Sequence, residues 1–356
     1  METVTNDRML RPSASSGDNR FLRACRGQPV DATPVWFMRQ AGRYLPEYRA
    51  IREKHDFLTM AMTPELACEV TRQPVRRLGV DAAILFADIL LPLPPMGAPI
   101  HFAEGEGPVI ERPVRERADI DRLRIIDGAE LGYVGETLKL IARALPPTVA
   151  LIGFAGAPFT LASYLIEGGH SKNFERTKKL MLGDPEGWSA LMHKLAEVCA
   201  RYLEMQIAAG AQAVQLFDSW VGCLSPADYE AHVLPHSRHV FERLRGAGAP
   251  TLHFGTDTAT LLPLMARAGG DVLGVDWRLP LPEARKLLGA HKPLQGNLDP
   301  VVLQAGPEAV AAATRRVLDE ARGGPHIFNT GHGLLPETPV DAVRQVVDLV
   351  HAHRPA

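Results

Sequence analysis

The feature that most constrains this chain is a regular alternation of short apolar runs with longer amphipathic segments. Eight runs rich in valine, isoleucine and leucine have the length of buried strands. Strands that are buried on both faces, as in parallel sheets, read as continuously apolar. The predicted strands are residues 34–38, 81–87, 149–155, 211–217, 251–254, 272–277, 293–296 and 326–330.

Helical spacing occurs between these runs, and several of the helical segments carry a start signal. Thr63-Pro64, Ser225-Pro226 and Thr338-Pro339 each place a hydroxyl residue before a proline, which is typical of a helix N-terminus. Eight alternations of strand and helix predict an α/β fold of the (β/α)₈ TIM barrel type. The predicted helices are residues 64–78, 158–167, 186–209, 226–244, 258–268, 281–288, 307–321 and 338–351.

The main alternative to a barrel is a doubly wound sheet, which would carry a glycine-rich nucleotide loop after its first strand. The sequence contains neither GxGxxG nor GxxxxGK[ST]. Residues 101–114 predict a hairpin inserted after the second strand. The first twenty residues contain no apolar run of signal-peptide length, so we expect a disordered tail at residues 1–18. No linker or repeat interrupts the pattern that follows, so we expect a single domain at residues 19–356.

Composition excludes several classes of partner. The formal net charge is −2, so no overall field attracts nucleic acid or an anionic membrane. Residues 149–166 lack charge, but Gly153, Gly156 and Pro158 divide this stretch into a strand, a turn and a helix, so we expect no membrane span. The four cysteines form no CxxC pair, which argues against a disulfide framework or a cysteine zinc site and favours a reducing cytoplasm.

If the chain forms a barrel, its chemistry belongs at the carboxyl ends of the strands. A guanidinium matches the planar oxygens of a carboxylate or phosphate, so two arginines four residues apart favour an anionic ligand there. Taken singly, these residues also suit surface, capping or loop positions; their convergence on one mouth favours a site. The residues that follow predicted strands are Arg39, Arg43, Asp88, Gly156, Pro158, Asp218, Ser219 and His332.

Seven motifs, in the same order along the chain, resemble segments of the uroporphyrinogen decarboxylase family. Ala87 stands where that family is expected to have a serine, and Thr330 stands where leucine is usual, but neither position carries an assigned role. The resemblance extends from about Asn19 to the end. The motifs are PVWFMRQAGRYLPEYR, FADIL, GFAGAPFTLASYLIEGG, QLFDSW, LGVDW, LQGNLDP and FNTGHGLLPETP.

The resemblance implies a (β/α)₈ barrel that forms a homodimer and acts in tetrapyrrole biosynthesis. Members of the family remove the carboxyl groups of the four acetate side chains of uroporphyrinogen III, which gives coproporphyrinogen III. The reaction uses no metal and no organic cofactor. We therefore expect a small-molecule substrate and neither a nucleic-acid nor a membrane partner.

The resemblance also implies roles for individual residues. Asp88 would accept hydrogen bonds from the pyrrole N–H groups, and Arg39 would hold a water near the reacting acetate. Tyr164 would lie close to both Asp88 and that acetate, although from the sequence alone its position on a helix favours packing over a role in the site. The remaining substrate contacts implied are Arg43 and, for the peripheral carboxylates, Ser219 and His332, with Phe217 packing on the macrocycle and Gln40 as a secondary candidate.

Two other functions remain open at this point. A zinc-dependent corrinoid methyltransferase of the same barrel superfamily would typically have His-x-Cys after the fifth strand, where this chain has His253, Phe254 and Gly255. A non-catalytic porphyrin-binding barrel would bind without turnover. The presence of every site residue argues against that second alternative.

Overall fold

Parallel strands form the centre of the molecule. The computed structural model describes residues 19–103 and 107–354. The strands in this part of the chain are β1 (Ala82–Ile84), β2 (Ile100–Ala103), β3 (Gly107–Ile110), β4 (Ala150–Gly156), β5 (Ala213–Asp218), β6 (Thr251–Gly255), β7 (Val272–Gly274), β8 (Leu294–Leu298) and β9 (His326–Thr330). Seven of them form one parallel sheet in the order β1, β4, β5, β6, β7, β8, β9, and β2 pairs with β3 in an antiparallel hairpin.

Helices connect the strands. They are α1 (Arg20–Cys25), α2 (Pro46–Arg52), α3 (Phe57–Met62), α4 (Pro64–Leu78), α5 (Leu93–Met96), α6 (Arg117–Arg122), α7 (Gly132–Ala144), α8 (Pro158–Glu167), α9 (Glu175–Gly183), α10 (Pro185–Ala208), α11 (Pro226–His232), α12 (Leu234–Arg243), α13 (Leu262–Ala268), α14 (Leu281–Leu288), α15 (Pro307–Glu320) and α16 (Val340–Ala352). Short 3₁₀ helices span Gly128–Leu131, Val221–Cys223 and Pro300–Gln304.

Most of the predicted elements are confirmed. The helices predicted at residues 64–78, 158–167 and 281–288 match α4, α8 and α14 at both ends. The helix predicted at residues 226–244 is instead two helices that meet at Val233. Pro235 lies in the first turn of α12, where its missing N–H costs nothing, and a single helix through it would lose a hydrogen bond.

The predicted strands are confirmed except for the first. β1 and β7 end earlier than predicted, at Ile84 and Gly274. After β1 the chain leaves the sheet, since the Phe86 N–H donates to the Thr71 hydroxyl of α4 at 2.9 Å. Residues 34–38 form only an isolated parallel bridge between Val35 and Phe328. The chain turns directly afterwards, with the Gln40 N–H donating to the Phe37 carbonyl at 3.1 Å, so no longer strand forms.

Although it is not a strand, the segment at residues 34–36 contacts two strands of the sheet. On one side the Phe328 N–H donates to the Pro34 carbonyl at 2.8 Å, and the Trp36 N–H donates to the Phe328 carbonyl at 3.3 Å. On the other side the N–H of Asp81, which precedes β1, donates to the Val35 carbonyl at 2.8 Å. The segment therefore lies between β9 and the start of β1.

A buried polar network shows that the sheet is curled. The Trp36 indole N–H donates to Gln295 Oε1 at 3.0 Å, and Gln295 Nε2 donates to Gln215 Oε1 at 3.0 Å. Gln215 lies on β5 and Gln295 on β8, which two other strands separate. In a flat sheet they would be about 14 Å apart, so the direct hydrogen bond requires strong curvature. The fold is an α/β fold with a curled parallel sheet of seven strands in the described residues.

The Asp81 carboxylate joins four separate parts of the chain. Oδ1 accepts a hydrogen bond from Arg20 of α1 at 3.0 Å, and Oδ2 accepts from the Val35 N–H and from His351 Nε2 of α16, both at 2.8 Å. Asp81 is 7% exposed. Charge-assisted hydrogen bonds in a buried setting are among the stronger polar contacts in proteins. This carboxylate therefore fixes the 34–36 segment to both ends of the described chain.

The predicted hairpin is present and covers the end of α8. The Ile110 N–H donates to the Gly168 carbonyl at 2.9 Å, and the Val114 N–H donates to the Leu165 carbonyl at 2.8 Å. The hairpin tip at 104–106 and the predicted tail at 1–18 lie outside the described residues. Residues 149–166 form β4 and α8, and none of the described helices has the length and apolarity needed to cross a bilayer.

The carboxylate at position 81 should be important for stability. We expect Asp81→Ala to lower the free energy of unfolding by about 2–4 kcal/mol, because it leaves the buried Val35 N–H without an acceptor. The measurement is urea denaturation. In the control variant Asp319→Ala, an exposed pair with Arg322 is lost, and the change should be below about 0.5 kcal/mol. Equal midpoints for the two variants would contradict the role given to Asp81.

Candidate active site

The predicted site residues gather at the carboxyl edge of the sheet. In a parallel sheet the carboxyl ends of all strands lie on the same edge, where ligand sites form. Asp88 follows β1, Phe217 and Ser219 lie at the end of β5, and His332 follows β9. Arg39 follows the 34–36 segment that lies between β9 and β1.

Arg39 is held in an unusual backbone conformation. Its φ is +61°, in the left-handed region that non-glycine residues seldom adopt and that costs of order 1 kcal/mol. The preceding residue is fixed on both sides, since the Met38 N–H donates to Asn329 Oδ1 at 3.1 Å and the Leu334 N–H donates to the Met38 carbonyl at 2.9 Å. A Cβ on Gly333 would overlap the Arg39 side chain. The glycine thus permits Arg39 to lie against the loop after β9.

Asp88 is a half-buried carboxyl whose ionisation is opposed by its surroundings. Burial raises its pKa above the ordinary value, while the Leu90 N–H and the positive charge of Arg39 lower it. Oδ1 accepts the Leu90 N–H at 2.8 Å. The second oxygen accepts no hydrogen bond from the described residues. It therefore remains available to a donor on a ligand.

Tyr164, on α8, lies close enough to Asp88 and Arg39 for their charges to shift the pKa of its phenol. The pKa of its phenol is raised to about 12, chiefly by burial and also by the negative charge of Asp88, while the positive charge of Arg39 opposes the rise. The ring stacks on Trp220, with centroids 3.8 Å apart and planes at 27°. Arg39, Asp88 and Tyr164 are thus brought into one electrostatic environment, with Tyr164 neutral at physiological pH.

His332 is neutral at the same edge. The pKa of its imidazole is lowered to about 4, chiefly by burial and also by the positive charges of Arg39 and Arg278, while Asp276 opposes the fall. Arg278 donates to Asp276 Oδ2 at 2.9 Å, and its guanidinium carbon lies 4.0 Å from the centre of the Trp277 ring. A neutral imidazole can donate one hydrogen bond and accept another. Arg278 and Asp276 were missed by sequence reasoning, although the LGVDW motif contains Asp276.

Three successive residues at the end of β5 differ in burial: Phe217 and Ser219 are half-buried, whereas Asp218 between them is fully buried. Phe217 is half-buried and meets Phe154 and Phe254 edge to face, with centroid distances of 5.6 and 5.9 Å. Ser219 is half-buried, and its carbonyl accepts the Thr256 hydroxyl at 2.5 Å. Asp218 is fully buried between them, and burial raises its pKa to about 7. A strand exit therefore does not by itself place a side chain at the mouth.

The two further residues of the first motif differ in exposure. Gln40 was expected as a secondary substrate contact, but it is fully buried. Its Oε1 accepts the Phe37 N–H and its Nε2 donates to the Ala82 carbonyl, both at 3.0 Å, so its amide is used in supporting the turn before Arg39. Arg43 is exposed, and its guanidinium has no ion pair among the described residues.

A metal site is not formed by the histidines and acids of the described residues. No group of three histidine, cysteine, aspartate or glutamate side chains in residues 19–103 and 107–354 has a spacing that would hold a metal ion. His253, at the position where the methyltransferase alternative requires a zinc ligand, is fully buried on β6. Burial lowers its pKa to about 4.

Comparison with solved structures identifies the fold. A methyltransferase from Methanosarcina mazei superimposes with a TM-score of 0.78 at 19% identity, covering 93% of this chain and 96% of the other. A B12-independent methionine synthase from a Shewanella species superimposes with a TM-score of 0.53 at 12% identity, covering 81% and 87%. At these identities the likeness concerns the fold alone.

Comparison of sequences identifies the family. The family model described as uroporphyrinogen decarboxylase matches residues 16–353. The uroporphyrinogen decarboxylase of Sorangium cellulosum is 60% identical over 94% of this chain and 96% of its own length. Those of Streptomyces coelicolor and Carboxydothermus hydrogenoformans are 56% and 55% identical, covering 96% and 94% of this chain and 96% of each relative. The chain therefore belongs to the uroporphyrinogen decarboxylase family.

Proposed function

We propose that this protein is a carboxy-lyase that removes the carboxyl groups of the four acetate side chains of uroporphyrinogen III, giving coproporphyrinogen III in tetrapyrrole biosynthesis. The observation that carries the proposal is the match to the family model along residues 16–353. The proximity of Arg39, Asp88 and Tyr164 supports it, since Arg39 lowers the pKa of both Asp88 and Tyr164, and Asp88 raises that of Tyr164.

We propose further that the sheet closes into a (β/α)₈ barrel, in which the segment at residues 34–36 takes the place of the remaining strand, and that residues 19–356 form one domain. The hydrogen bonds of the 34–36 segment to Phe328 on one side and to Asp81 on the other support closure. The Trp36 indole, which donates to Gln295 in the interior, supports it independently. Closure would leave the sheet without an open edge.

Decarboxylation requires an acceptor for the electron pair of the carbon–carbon bond that breaks. Loss of CO₂ from an acetate side chain would leave a carbanion beside the pyrrole. If a proton first adds to the adjacent ring carbon, the ring becomes cationic and takes up the electron pair as the carbon–carbon bond breaks. A second proton then converts the exocyclic methylene into a methyl group, and the ring carbon releases the first proton, which restores the neutral pyrrole. The substrate's own pyrrole thus acts as the electron sink, and we propose no metal or organic cofactor.

Asp88 is the group that stabilises this cation in our proposal. Its second carboxylate oxygen, which accepts no hydrogen bond from the described residues, would accept those of the pyrrole N–H groups. A fixed negative charge in a partly dry pocket acts more strongly on a developing positive charge than the same charge in water. The cost of keeping Asp88 ionised there is reduced by the Leu90 N–H and by Arg39, although burial still raises its pKa overall.

The other residues bind or orient the substrate. Arg39 and Arg43 would bind side-chain carboxylates, and Arg39 would hold the water that delivers the proton, since a guanidinium with a pKa above about 12 is a poor acid. Ser219 and neutral His332 would contact peripheral carboxylates. Tyr164 would lie beside the reacting acetate. The exposed edge of Phe217 would pack on the macrocycle, whereas Gln40 would act only by supporting the turn that bears Arg39.

The oligomeric state and the compartment are also proposals. We expect a homodimer from the resemblance to the family, and a cytoplasmic location from the absence of CxxC pairing among the four cysteines. The methyltransferase alternative is not proposed, because His253 is fully buried and neither Phe254 nor Gly255 supplies a thiolate.

The direct test of the proposed reaction is a product analysis. Purified, chelator-treated protein is incubated with uroporphyrinogen III without oxygen, and the products are oxidised and separated by their number of carboxyl groups. We expect conversion to the tetracarboxylic product. Unchanged substrate from protein shown to be folded would contradict the proposed reaction, and activity that returns only with added zinc would contradict its cofactor-free form.

Removal of the Asp88 carboxylate should abolish most of the activity without loss of the fold. We expect Asp88→Ala to lower kcat by about 10²- to 10³-fold, because the charge that stabilises the cation is lost. Circular dichroism would verify folding. Asp121→Ala, which removes an exposed carboxylate on α6, is the control and should retain wild-type kcat. Near-normal turnover in Asp88→Ala would refute the role of Asp88.

Activity should also fall on acidification at a pH set by Asp88. Because burial raises the pKa of Asp88, kcat should be full above that pKa and lost below it, with a midpoint above the ordinary value of about 4. The substrate's carboxylates titrate in the same region, so a variant is needed to assign the loss. Arg39→Gln removes the charge that lowers the pKa of Asp88, and its residual activity should be lost at higher pH than in wild type. An unshifted or lower midpoint in Arg39→Gln would contradict this assignment.

A further inference from the structure

Asp218 is a buried acid for which the proposed reaction has no use. Its side chain is fully buried, and Oδ2 has no hydrogen-bond partner in the described residues. Its charge raises the pKa of three neighbouring groups, Cys199, Cys223 and Tyr229, and none of them supplies a counter-charge. Burying an unpaired carboxyl group is costly. A buried acid at the end of β5 therefore calls for a reason other than stability.

Asp218 accepts hydrogen bonds from the hydroxyl and the backbone N–H of Thr160, and the one from the hydroxyl has a fixed direction. Thr160 Oγ1, in the first turn of α8, lies 2.9 Å from Asp218 Oδ1 and 3.3 Å from the Trp220 backbone nitrogen. The Trp220 N–H can only donate, so the Thr160 hydroxyl accepts from it and directs its own proton to Asp218. The order is thus Trp220 N–H to Thr160 hydroxyl to Asp218 oxygen.

Trp220 connects this chain of hydrogen bonds to the candidate site. Its ring stacks on Tyr164 with centroids 3.8 Å apart, and Phe174 covers it at 5.2 Å. The charges of Asp88 and Arg39 in turn shift the pKa of Tyr164. The turn after β5 is therefore attached to α8 at two points, at Thr160 by hydrogen bonds and at Tyr164 by ring stacking.

We infer that Asp218 and Thr160 are positioning residues, which fix the Trp220 backbone and, through the stacked Trp220 ring, hold the Tyr164 ring beside Asp88. This inference rests on the proposed function, because it assigns value to the position of Tyr164. Neither residue touches the substrate, since both are fully buried. The positioning role requires an acceptor oxygen on the side chain at position 218 and a hydroxyl group on the side chain at position 160.

The test removes the hydroxyl and keeps the volume. We expect Thr160→Val to lower kcat about tenfold, as displacement of an oriented group does, while KM changes less than about twofold. Thr160→Ser restores the hydroxyl and should return kcat to within about threefold of wild type. Asp218→Asn keeps an acceptor oxygen and should behave like Thr160→Ser, whereas Asp218→Leu should behave like Thr160→Val. The matched control is Thr314→Val, which removes a buried hydroxyl from α15, far from the site in sequence, and should leave kcat unchanged.

A double-mutant cycle with Tyr164→Phe separates positioning from general destabilisation. If Thr160 acts through Tyr164, Thr160→Val should lower kcat by less than about twofold in the Tyr164→Phe background. An equal loss in both backgrounds, or a wild-type kcat in Thr160→Val, would overturn the inference. The near-ultraviolet circular dichroism of the stacked rings, identified by its loss in Trp220→Phe, gives a readout without substrate and should weaken in Thr160→Val but not in Thr160→Ser.

Failure of the inference can be distinguished from failure of the proposed function. If Tyr164→Phe has wild-type kcat and KM, the role of Tyr164 in the proposed reaction is wrong, and the positioning role falls with it. If Tyr164→Phe is impaired and Thr160→Val is not, only the positioning role is wrong. Absence of decarboxylation in the unmodified protein would contradict the proposed function itself.

Discussion

The backbone hydrogen bonds of residues 34–36 fix where Arg39 lies, and the geometry of the candidate site depends on them. Phe328 of β9 holds this segment on one side, and Asp81 holds it on the other through its N–H and its carboxylate. Because the chain turns after Met38 with Arg39 at positive φ, the guanidinium is carried over Gly333 beside His332. A site built from distant parts of the sequence is thus anchored by a few buried contacts.

The electrostatics of the site follow from partial burial. The same desolvation raises the pKa of Asp88 and Tyr164 and lowers that of His332, so it opposes the charged form of each. Arg39 is the neighbour that acts on all three, favouring ionised Asp88 and neutral His332. A carboxylate that stays ionised despite the desolvation penalty is suited to stabilising a transient cation, because little solvent screens its charge. In the proposed reaction, whose electron sink is the substrate's own pyrrole, Asp88 would stabilise the cation in this way.

The sequence predicted those features that depend on local chemistry and periodicity. Proline after threonine marked α4, and continuous apolar runs located seven strands of the sheet. The strand-exit rule predicted Arg39, Asp88 and His332 at one edge. It could not predict that the Gln40 amide bonds to the Phe37 and Ala82 backbone, that Asp218 is fully buried between half-buried neighbours, or that Trp220 stacks on Tyr164. These features depend on contacts between segments far apart in the chain. Arg278 was missed for the same reason, since its relation to His332 arises only when β7 and β9 reach the same edge.

In the proposed complex, Asp88 binds the substrate's pyrroles, and Arg39 and Arg43 bind its side-chain carboxylates. A crystal structure of the protein with coproporphyrinogen III, grown and frozen without oxygen, would test this arrangement directly. We expect pyrrole nitrogens within hydrogen-bond distance of the Asp88 carboxylate, about 2.7–3.2 Å, and carboxylates bound to the two arginines. A macrocycle bound elsewhere, or one bound at this edge with its nitrogens directed away from Asp88, would contradict it.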